Sequence, residues 1–175
     1  MILAQLVVVV ATLGAADLSQ LGYANTAIIY GAGVEYHTSK LSVEFAADYS
    51  PARKTETDKT WSTTAGLTAW KAFGSDWQLL VGGGVSWSHL DAGSYRKDSY
   101  RCRIGSGGQY GGARLTIDWL APLSDDNRLR GLEMGFRYDY GHLRVGVTGA
   151  AYQFDEPVGP TRNARAYGAY LGGTF

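Results

Sequence analysis

The sequence has a single cysteine in 175 residues, no excess of charge of either sign, and few charged residues overall. One cysteine excludes a disulfide framework and a cysteine-cluster metal site. The 16 basic and 16 acidic residues cancel, which argues against a nucleic-acid-binding protein. Because aromatic residues are plentiful while only 18% of residues are charged, the chain is not of the disordered class. It is long enough to bury a core as one folded domain.

Glycine and the aromatic residues are what the sequence has in abundance. The 24 glycines are about twice the usual share of roughly 7%, and they follow no period of three, so the chain is not collagen-like. Together with 12 Tyr, 5 Phe and 5 Trp, they favour an all-β chain with many tight turns.

The N-terminus begins with an apolar run. Residues 1–16 read MILAQLVVVVATLGAA, which is too short to span a bilayer as a helix. Gly14 and Ala16 are small residues at the two positions that a signal peptidase reads. We therefore predict a signal peptide over 1–16 and a single barrel domain over 17–175.

One part of an export signal is missing from this run. No Lys or Arg precedes Lys40, so the positively charged region of a signal peptide is absent. The alternative interpretation is a buried first strand or core helix built on Val7–Val10.

The alternation of apolar and polar residues has a period of two from residue 26 onward. No stretch of ten or more residues carries a helical stripe, so we expect no helices. The pattern predicts an all-β, antiparallel, up-and-down barrel with eight strands. The predicted strands span 26–37, 40–50, 60–73, 76–88, 109–120, 129–140, 143–154 and 165–175.

Two features place the apolar face toward lipid. The opposite face is mostly glycine and charge, which suits a cramped interior. Trp77 and Trp87 lie on the apolar face ten residues apart, a rise of about 25 Å in a tilted strand and the height of the apolar band of a membrane barrel. The predicted aromatic girdle comprises Trp61, Trp77, Trp87, Trp119, Tyr138 and Tyr140. The predicted lipid contacts comprise Leu79, Val81, Leu115, Ile117 and Phe136.

The C-terminus carries a recognisable pattern. The sequence Tyr167-x-Ala169-x-Leu171-x-Gly173-x-Phe175 resembles the terminal strand of bacterial outer-membrane β-barrels. Over nearly its whole length, the chain is similar in pattern to the small barrels of the OmpA, OmpX and opacity type. The resemblance implies an outer-membrane location, and it implies that Tyr167, Leu171 and Phe175 form a signal for the barrel assembly machinery.

The order of the connections departs from that family. Its tight turns lie on the side of the C-terminus, whereas an eight-strand count makes the first and third connections tight, at 38–39 and 74–75. The second and fourth, 51–59 and 89–108, are long. The alternation also slips in phase near Gly107–Gly108.

Eleven ionisable residues share the inward phase, namely His37, Lys40, Asp48 and the eight of the charge network given below. A narrow lumen cannot leave them unpaired, because each unpartnered buried ion costs several kcal/mol. We therefore expect salt bridges between strands that plug the lumen; a gated ion or proton path and a lumenal ligand site are the alternatives. The predicted lumen charge network comprises Glu35, Glu44, Arg114, Asp118, Glu133, Arg137, Asp139 and Arg144. Tyr110, Tyr152 and Tyr170 are expected to fill the remaining space.

The sequence contains no catalytic or metal motif. His37, His89 and His142 have unrelated spacings and form no metal motif. We expect no catalytic residue, no metal and no cofactor. The predicted function is structural or surface-interacting. The alternatives are a soluble lipocalin-like barrel with an apolar ligand and, third, an outer-membrane lipid hydrolase or acyltransferase.

A basic, tyrosine-rich segment surrounds the cysteine. Arg96, Lys97, Arg101 and Arg103 flank Cys102 in what we interpret as a long loop, which could bind lipopolysaccharide phosphate or a partner. The expected partners are membrane lipids, lipopolysaccharide and the assembly machinery, with no nucleic acid, and the expected state is a monomer.

Overall fold

The chain folds into a closed antiparallel β-barrel. The computed structural model describes residues 6–17, 27–38, 40–53, 59–92, 95–123, 129–154 and 162–174. No helix in this part of the chain is long and apolar enough to cross a membrane. The strands are β1 (Leu6–Asp17), β2 (Ala27–His37), β3 (Leu41–Arg53), β4 (Lys59–Phe73), β5 (Trp77–Ala92), β6 (Tyr95–Tyr110), β7 (Ala113–Pro122), β8 (Leu129–Tyr140), β9 (Leu143–Phe154) and β10 (Arg162–Thr174).

Each strand pairs with its neighbour in sequence, and β1 pairs with β10, so the sheet closes without a free edge. The predicted all-β, up-and-down architecture is confirmed. The predicted number of eight strands is wrong, because the barrel has ten. All eight predicted strands are present, and β1 and β6 are added to them.

The first additional strand is the apolar N-terminal run. Leu6–Asp17 forms β1, which pairs with β2 on one side and β10 on the other. Val8 and Val10 are buried inside the barrel, while Val7 and Val9 are exposed outside it. Because both faces of β1 are apolar, the run lacks the alternation that marks the other strands. The segment thus forms a first strand. The signal peptide over 1–16 stays a prediction, and cleavage after Ala16 would leave only Asp17 of β1.

The second additional strand is β6, in the range interpreted as a long connection. It pairs with β5 along its whole length, from Ala92↔Tyr95 to Trp77↔Tyr110. Its outward positions include Ser106 and Gly108, which interrupt the apolar face and cause the phase slip. Cys102 is therefore a half-buried strand residue, with Sγ 3.6 Å from the carbonyl oxygen of Ala121.

The predicted strand 109–120 is divided by a turn at Gly111–Gly112. The prediction that Tyr110 points into the lumen is wrong, because the turn reverses the chain and changes the phase. Tyr110 lies on the outer face, where its ring stacks on Trp77 with 4.7 Å between the centroids.

Four short turns lie at the same end of the barrel, which we call the turn end. They connect β2 to β3, β4 to β5, β6 to β7 and β8 to β9. Gly74, Gly111 and Gly141 adopt positive φ values of 108°, 55° and 59° in three of them, as tight hairpins require. Leu6 and Thr174 also lie at this end. The other five connections lie at the opposite end of the barrel, which we call the loop end. With ten strands, the order of connections no longer departs from that of small outer-membrane barrels.

The apolar residues of the alternating pattern face outward. Their side chains stay exposed although they are large and apolar; examples are Leu79, Val81, Leu115, Ile117 and Phe136, which are 40% to 59% exposed. Arg114, Arg137 and Arg144, in contrast, are buried inside. A lipocalin-like barrel requires an apolar interior, and this structure has the opposite arrangement.

Arginine placed on the outer wall tests this assignment. Ile117 lies between Ser106 and Met134 on the neighbouring strands, so no charge lies directly beside it. We expect Ile117→Arg to destabilise the barrel by about 2–4 kcal/mol in a reversible unfolding titration in bilayers. The matched control Ile117→Met keeps the position apolar and should cost less than about 1.5 kcal/mol. A neutral Ile117→Arg would mean that this face does not contact lipid.

Candidate functional site

The lumen holds two groups of charged side chains. The group nearer the turn end, here called the turn-side cluster, comprises Glu35, Glu44, Arg114, Arg137, Asp139 and Arg144. These residues come from β2, β3, β7, β8 and β9. Three arginines face three carboxylates, so the cluster is electrically balanced.

A tight hairpin positions one pair of this cluster. Asp139 and Arg144 are paired residues on β8 and β9, next to the turn at Gly141. Arg144 donates from Nε to Asp139 Oδ1 at 2.5 Å and from Nη2 to Oδ2 at 2.8 Å. Its Nη1 also contacts Glu35 on β2. Arg144 is 1% exposed, so these bonds replace the water that a guanidinium otherwise requires.

The other arginines of the cluster reach across the lumen. Arg137 Nη1 lies 2.9 Å from Glu35 Oε2 and 3.5 Å from Glu44 Oε1. Arg114 Nη2 lies 3.0 Å from the same Glu44 oxygen. Since β8 and β3 are five strands apart in either direction around a ten-stranded barrel, the Arg137–Glu44 contact joins opposite walls.

His37 extends this cluster toward the turn end. Its Nε2 lies 2.8 Å from Glu35 Oε2 and 3.3 Å from Arg144 Nη1. His37 and Glu35 both lie on β2, two residues apart and on the same inner face. Glu35 is thus shared by three partners from three strands.

The second group, here called the loop-side cluster, comprises Arg101, Arg103, Asp118, Glu133 and Tyr152. Arg103 contacts Glu133, and Tyr152 donates from its hydroxyl to Glu133 at 2.7 Å. Arg101 contacts Ser88. The prediction that Arg101 and Arg103 belong to a surface loop is wrong, because β6 turns both inward; the side chains of Arg96 and Lys97 lie outside the described residues.

Asp118 differs from the other predicted members of the network. It is buried in the wall, but in the described part of the chain no salt bridge joins it to an arginine, and its Oδ1 has no hydrogen-bond partner. A Cβ added to Gly105, its neighbour on β6, would collide with this oxygen. Within the described residues, Asp118 therefore faces the lumen without a salt bridge.

Trp70 lies between the two clusters, and sequence reasoning missed it. Its Nε1 donates to Glu44 Oε2 at 3.2 Å, and the guanidinium of Arg114 lies 4.8 Å from the ring centroid. The indole extends over Gly82 on β5 and reaches Gly105 on β6. Added Cβ atoms at these glycines would approach ring carbons to 2.5 Å, so only glycine leaves space for the ring.

The same arrangement recurs at two tyrosines. Each large inward ring is paired with a glycine on the adjacent strand: Trp70 with Gly82, Tyr152 with Gly131, and Tyr170 with Gly146. A Cβ at Gly131 would lie 2.7 Å from the Tyr152 ring, and one at Gly146 would collide with the Tyr170 ring. The inward glycines thus make room for aromatic rings.

The predicted girdle residues lie on the outer wall near its two ends. Trp77, Tyr138 and Tyr140 are exposed toward the turn end, and Trp119 is exposed toward the loop end. Trp87, half-buried on β5, lies at the same end as Trp119. The side chain of Trp61 lies outside the described residues.

A small polar group extends the outer wall at the loop end. Asp98 on β6 accepts hydrogen bonds at its Oδ1 from Trp87 Nε1 at 2.9 Å and from His89 Nδ1 at 3.0 Å. The bond from His89, followed by that from Trp87, lowers the pKa of the exposed Asp98 carboxyl. Asp98 therefore stays ionised beyond the apolar band, where water is available.

The C-terminal pattern lies partly within the described chain. Tyr167 and Leu171 project outward from β10, and Phe175 lies outside the described residues. The role of these three residues in assembly stays a prediction. In the described part of the chain, no group of three or more His, Cys, Asp and Glu side chains is arranged to hold a metal ion.

The architecture has the features of small outer-membrane barrels: an even number of antiparallel strands, short turns at one end, and an apolar outer wall with aromatic residues near both ends. The resemblance predicted from the sequence is confirmed in this respect. No protein-family model matches the chain, and no curated protein sequence does.

Comparison with solved structures finds several bacterial barrels. Neisserial surface protein A is similar at 12% identity over 97% of this chain and 95% of its own, with a TM-score of 0.46. The N-terminal barrel of Pseudomonas aeruginosa OprF has 16% identity over 97% of both chains and a TM-score of 0.49. Ail, the attachment invasion locus protein of Yersinia pestis, has 9% identity over 99% of this chain and 100% of its own, with a TM-score of 0.46.

Proposed function

We propose that the protein is an integral β-barrel of the bacterial outer membrane, with a structural or surface-interaction role and a lumen closed by salt bridges. In this proposal it is not a general diffusion porin. Its charged lumen residues hold the barrel together and do not perform catalysis.

The outer wall supports the membrane location. Large apolar side chains such as Leu79, Val81 and Phe136 are about half exposed, which would be unfavourable in water over a whole barrel surface. In a bilayer the same side chains contact lipid, and the closed sheet satisfies the backbone hydrogen bonds that lipid cannot. The exposed aromatic residues near both ends suit the two membrane interfaces.

The contact between Arg137 and Glu44 carries the proposal of a closed lumen. Eight strands enclose a space that side chains just fill, so a ten-stranded lumen is wider and needs larger groups to close it. Arginine and glutamate are long enough to meet from opposite walls, and here they do, at 3.5 Å. Trp70 lies beside this contact and narrows the passage further.

Planar-bilayer recordings test the closed lumen. We expect the purified wild-type protein to give no steady, large, ohmic openings, because ion pairs span the lumen. Arg137→Ala removes the contacts to Glu35 and Glu44 and should allow openings to appear. The matched control is Lys71→Ala, which removes an exposed cation from the outer wall and should leave the recordings unchanged.

Two outcomes would contradict this proposal. Steady, large openings in the wild type would mean that the lumen conducts despite the turn-side cluster. Equal recordings from wild type and Arg137→Ala, with both proteins migrating as folded barrels, would mean that Arg137 does not close it.

A further inference from the structure

A groove of about 640 Å³ lies on the outer wall at the loop end. It crosses β8, β9 and β10 and is bordered by Trp119 of β7. The side chains that matter most for its chemistry are Trp119, Arg130, Leu132, Ala151, Gln153 and Arg165.

Strand register explains the shape of the groove. Ala151 on β9 is flanked directly by Leu132 on β8 and Arg165 on β10. Two residues farther from the loop end, Gly149 occupies the same outer face between Met134 and Tyr167. Small residues on the middle strand with large ones on both sides leave a depression along β9, here called the channel.

Both arginines lie at the edge of the apolar band. Along β8, Arg130 and Tyr140 share the outer face and are ten residues apart, a rise of about 25 Å in a tilted strand. Tyr140 lies at the turn end, so Arg130 lies at the opposite interface. Arg165 is in the same row as Trp119, which is also an interfacial residue type.

Among the described residues that line the groove, positive charge is in excess. Two guanidinium groups, of Arg130 and Arg165, face one carboxylate, of Asp17, which is the direct strand partner of Arg165. Arg130 and Arg165 lie on strands separated only by β9, about 10 Å apart, and are offset by two residues along the strands. No salt bridge joins either arginine to a carboxylate in the described part of the chain, whereas the arginines of the turn-side cluster are all paired.

We infer that this groove binds one anionic lipid that carries a phosphate and an acyl chain, at the loop end of the barrel. The phosphate lies between Arg130 and Arg165, and an acyl chain lies over Ala151 and Gly149. The planar guanidinium group of arginine binds phosphate oxygens well through paired N–H donors. Because an apolar channel lies beside the two arginines, a phosphate that carries an acyl chain should bind better than a soluble anion. This inference rests on the proposed membrane location.

Quenching of Trp119 by brominated acyl chains tests the inference. The protein is reconstituted in phosphatidylcholine vesicles in which a fixed fraction of lipid is brominated, either as phosphatidylglycerol or as phosphatidylcholine. The Trp119 signal is the difference between wild type and Trp119→Phe. We expect brominated phosphatidylglycerol to quench this signal more than brominated phosphatidylcholine at equal mole fraction.

The variants separate the two parts of the groove. Arg130→Gln and Arg165→Gln should each reduce the preference for the anionic lipid about five-fold, the effect of one cation near a membrane surface. Ala151→Leu fills the channel and should reduce quenching by both brominated lipids. Lys71→Gln is the matched control, because it removes an exposed cation of β4 that is not part of the groove and should leave the preference unchanged.

Three results would overturn the inference. Equal quenching by the two lipids would show no preference for the anionic headgroup. An unchanged preference in the Arg130→Gln, Arg165→Gln double variant would place any preference elsewhere. Loss of the excess quenching on addition of inorganic phosphate would identify a site for a soluble anion. Failure of the wild type to migrate as a heat-modifiable barrel would instead refute the proposed membrane location.

Discussion

Removal of residues 1–16 is expected to abolish formation of the closed barrel. The deletion takes away nearly all of β1, which pairs with β2 from Leu6↔His37 to Ala16↔Ala27 and with β10 from Val8↔Thr174 to Asp17↔Arg165. The remaining nine strands cannot close by the same pairing, because β2 and β10 both run antiparallel to β1 and are therefore parallel to each other. Two rows of unpaired backbone groups would face lipid, at several kcal/mol for each group.

Heat-modifiable migration on gels measures this effect, since a closed barrel resists detergent until it is boiled. The full-length chain should migrate differently before and after boiling, whereas the chain starting at Asp17 should show no shift. A chain lacking only residues 1–5, which precede β1, is the control and should retain the shift. A normal shift in the chain starting at Asp17 would mean that β1 is dispensable for closure.

The same strand shows why the sequence could not give the number of strands. Period-two alternation identifies a strand only when its two faces differ in polarity. Val8 and Val10 lie inside beside Gly172, so β1 is apolar on both faces and resembles the core of an export signal. For β6 the opposite problem arises, because Ser106 and Gly108 make the outer face partly polar.

For the other strands, the residues that face inward could be predicted, because apolar and polar residues alternate there without interruption. That alternation placed Arg114, Arg137 and Arg144 inside, where the structure has them. It could not show which carboxylate each arginine meets, since contacts between β8 and β3 depend on how many strands separate them around the barrel. An eight-strand count changes that number.

Trp70 could have been found from the turn. The turn at Gly74–Asp76 fixes the register of β4 and β5, and counting back from it pairs Trp70 with Gly82. A tryptophan in the inward phase directly opposite a glycine indicates a ring that lies across the neighbouring strand. Tyr152 with Gly131 and Tyr170 with Gly146 show the same sequence signal once their registers are known.

Replacement of Arg144 by methionine is expected to have the largest effect of any substitution in the lumen. Arg144 is 1% exposed and bonds to both oxygens of Asp139 and to Glu35. Methionine occupies a similar volume but leaves Asp139 without a partner cation among the described residues, whereas Glu35 keeps its contacts with Arg137 and His37. Because breaking a buried pair on one side leaves an uncompensated charge, Arg144→Met should cost about 3–5 kcal/mol in a reversible urea titration in detergent micelles.

The double variant distinguishes an electrostatic effect from a packing effect. Glu35→Gln neutralises one of the two carboxylates that lose Arg144, and Arg137 keeps its contact with Glu44. The cost of Arg144→Met together with Glu35→Gln should therefore fall below the sum of the two single costs by about 0.5–3 kcal/mol. Lys40→Met, which removes an exposed cation in the turn between β2 and β3, is the control and should cost within about 0.5 kcal/mol of zero. Strictly additive costs in the double variant would mean that Arg144 stabilises the barrel through its packing and not through its charge.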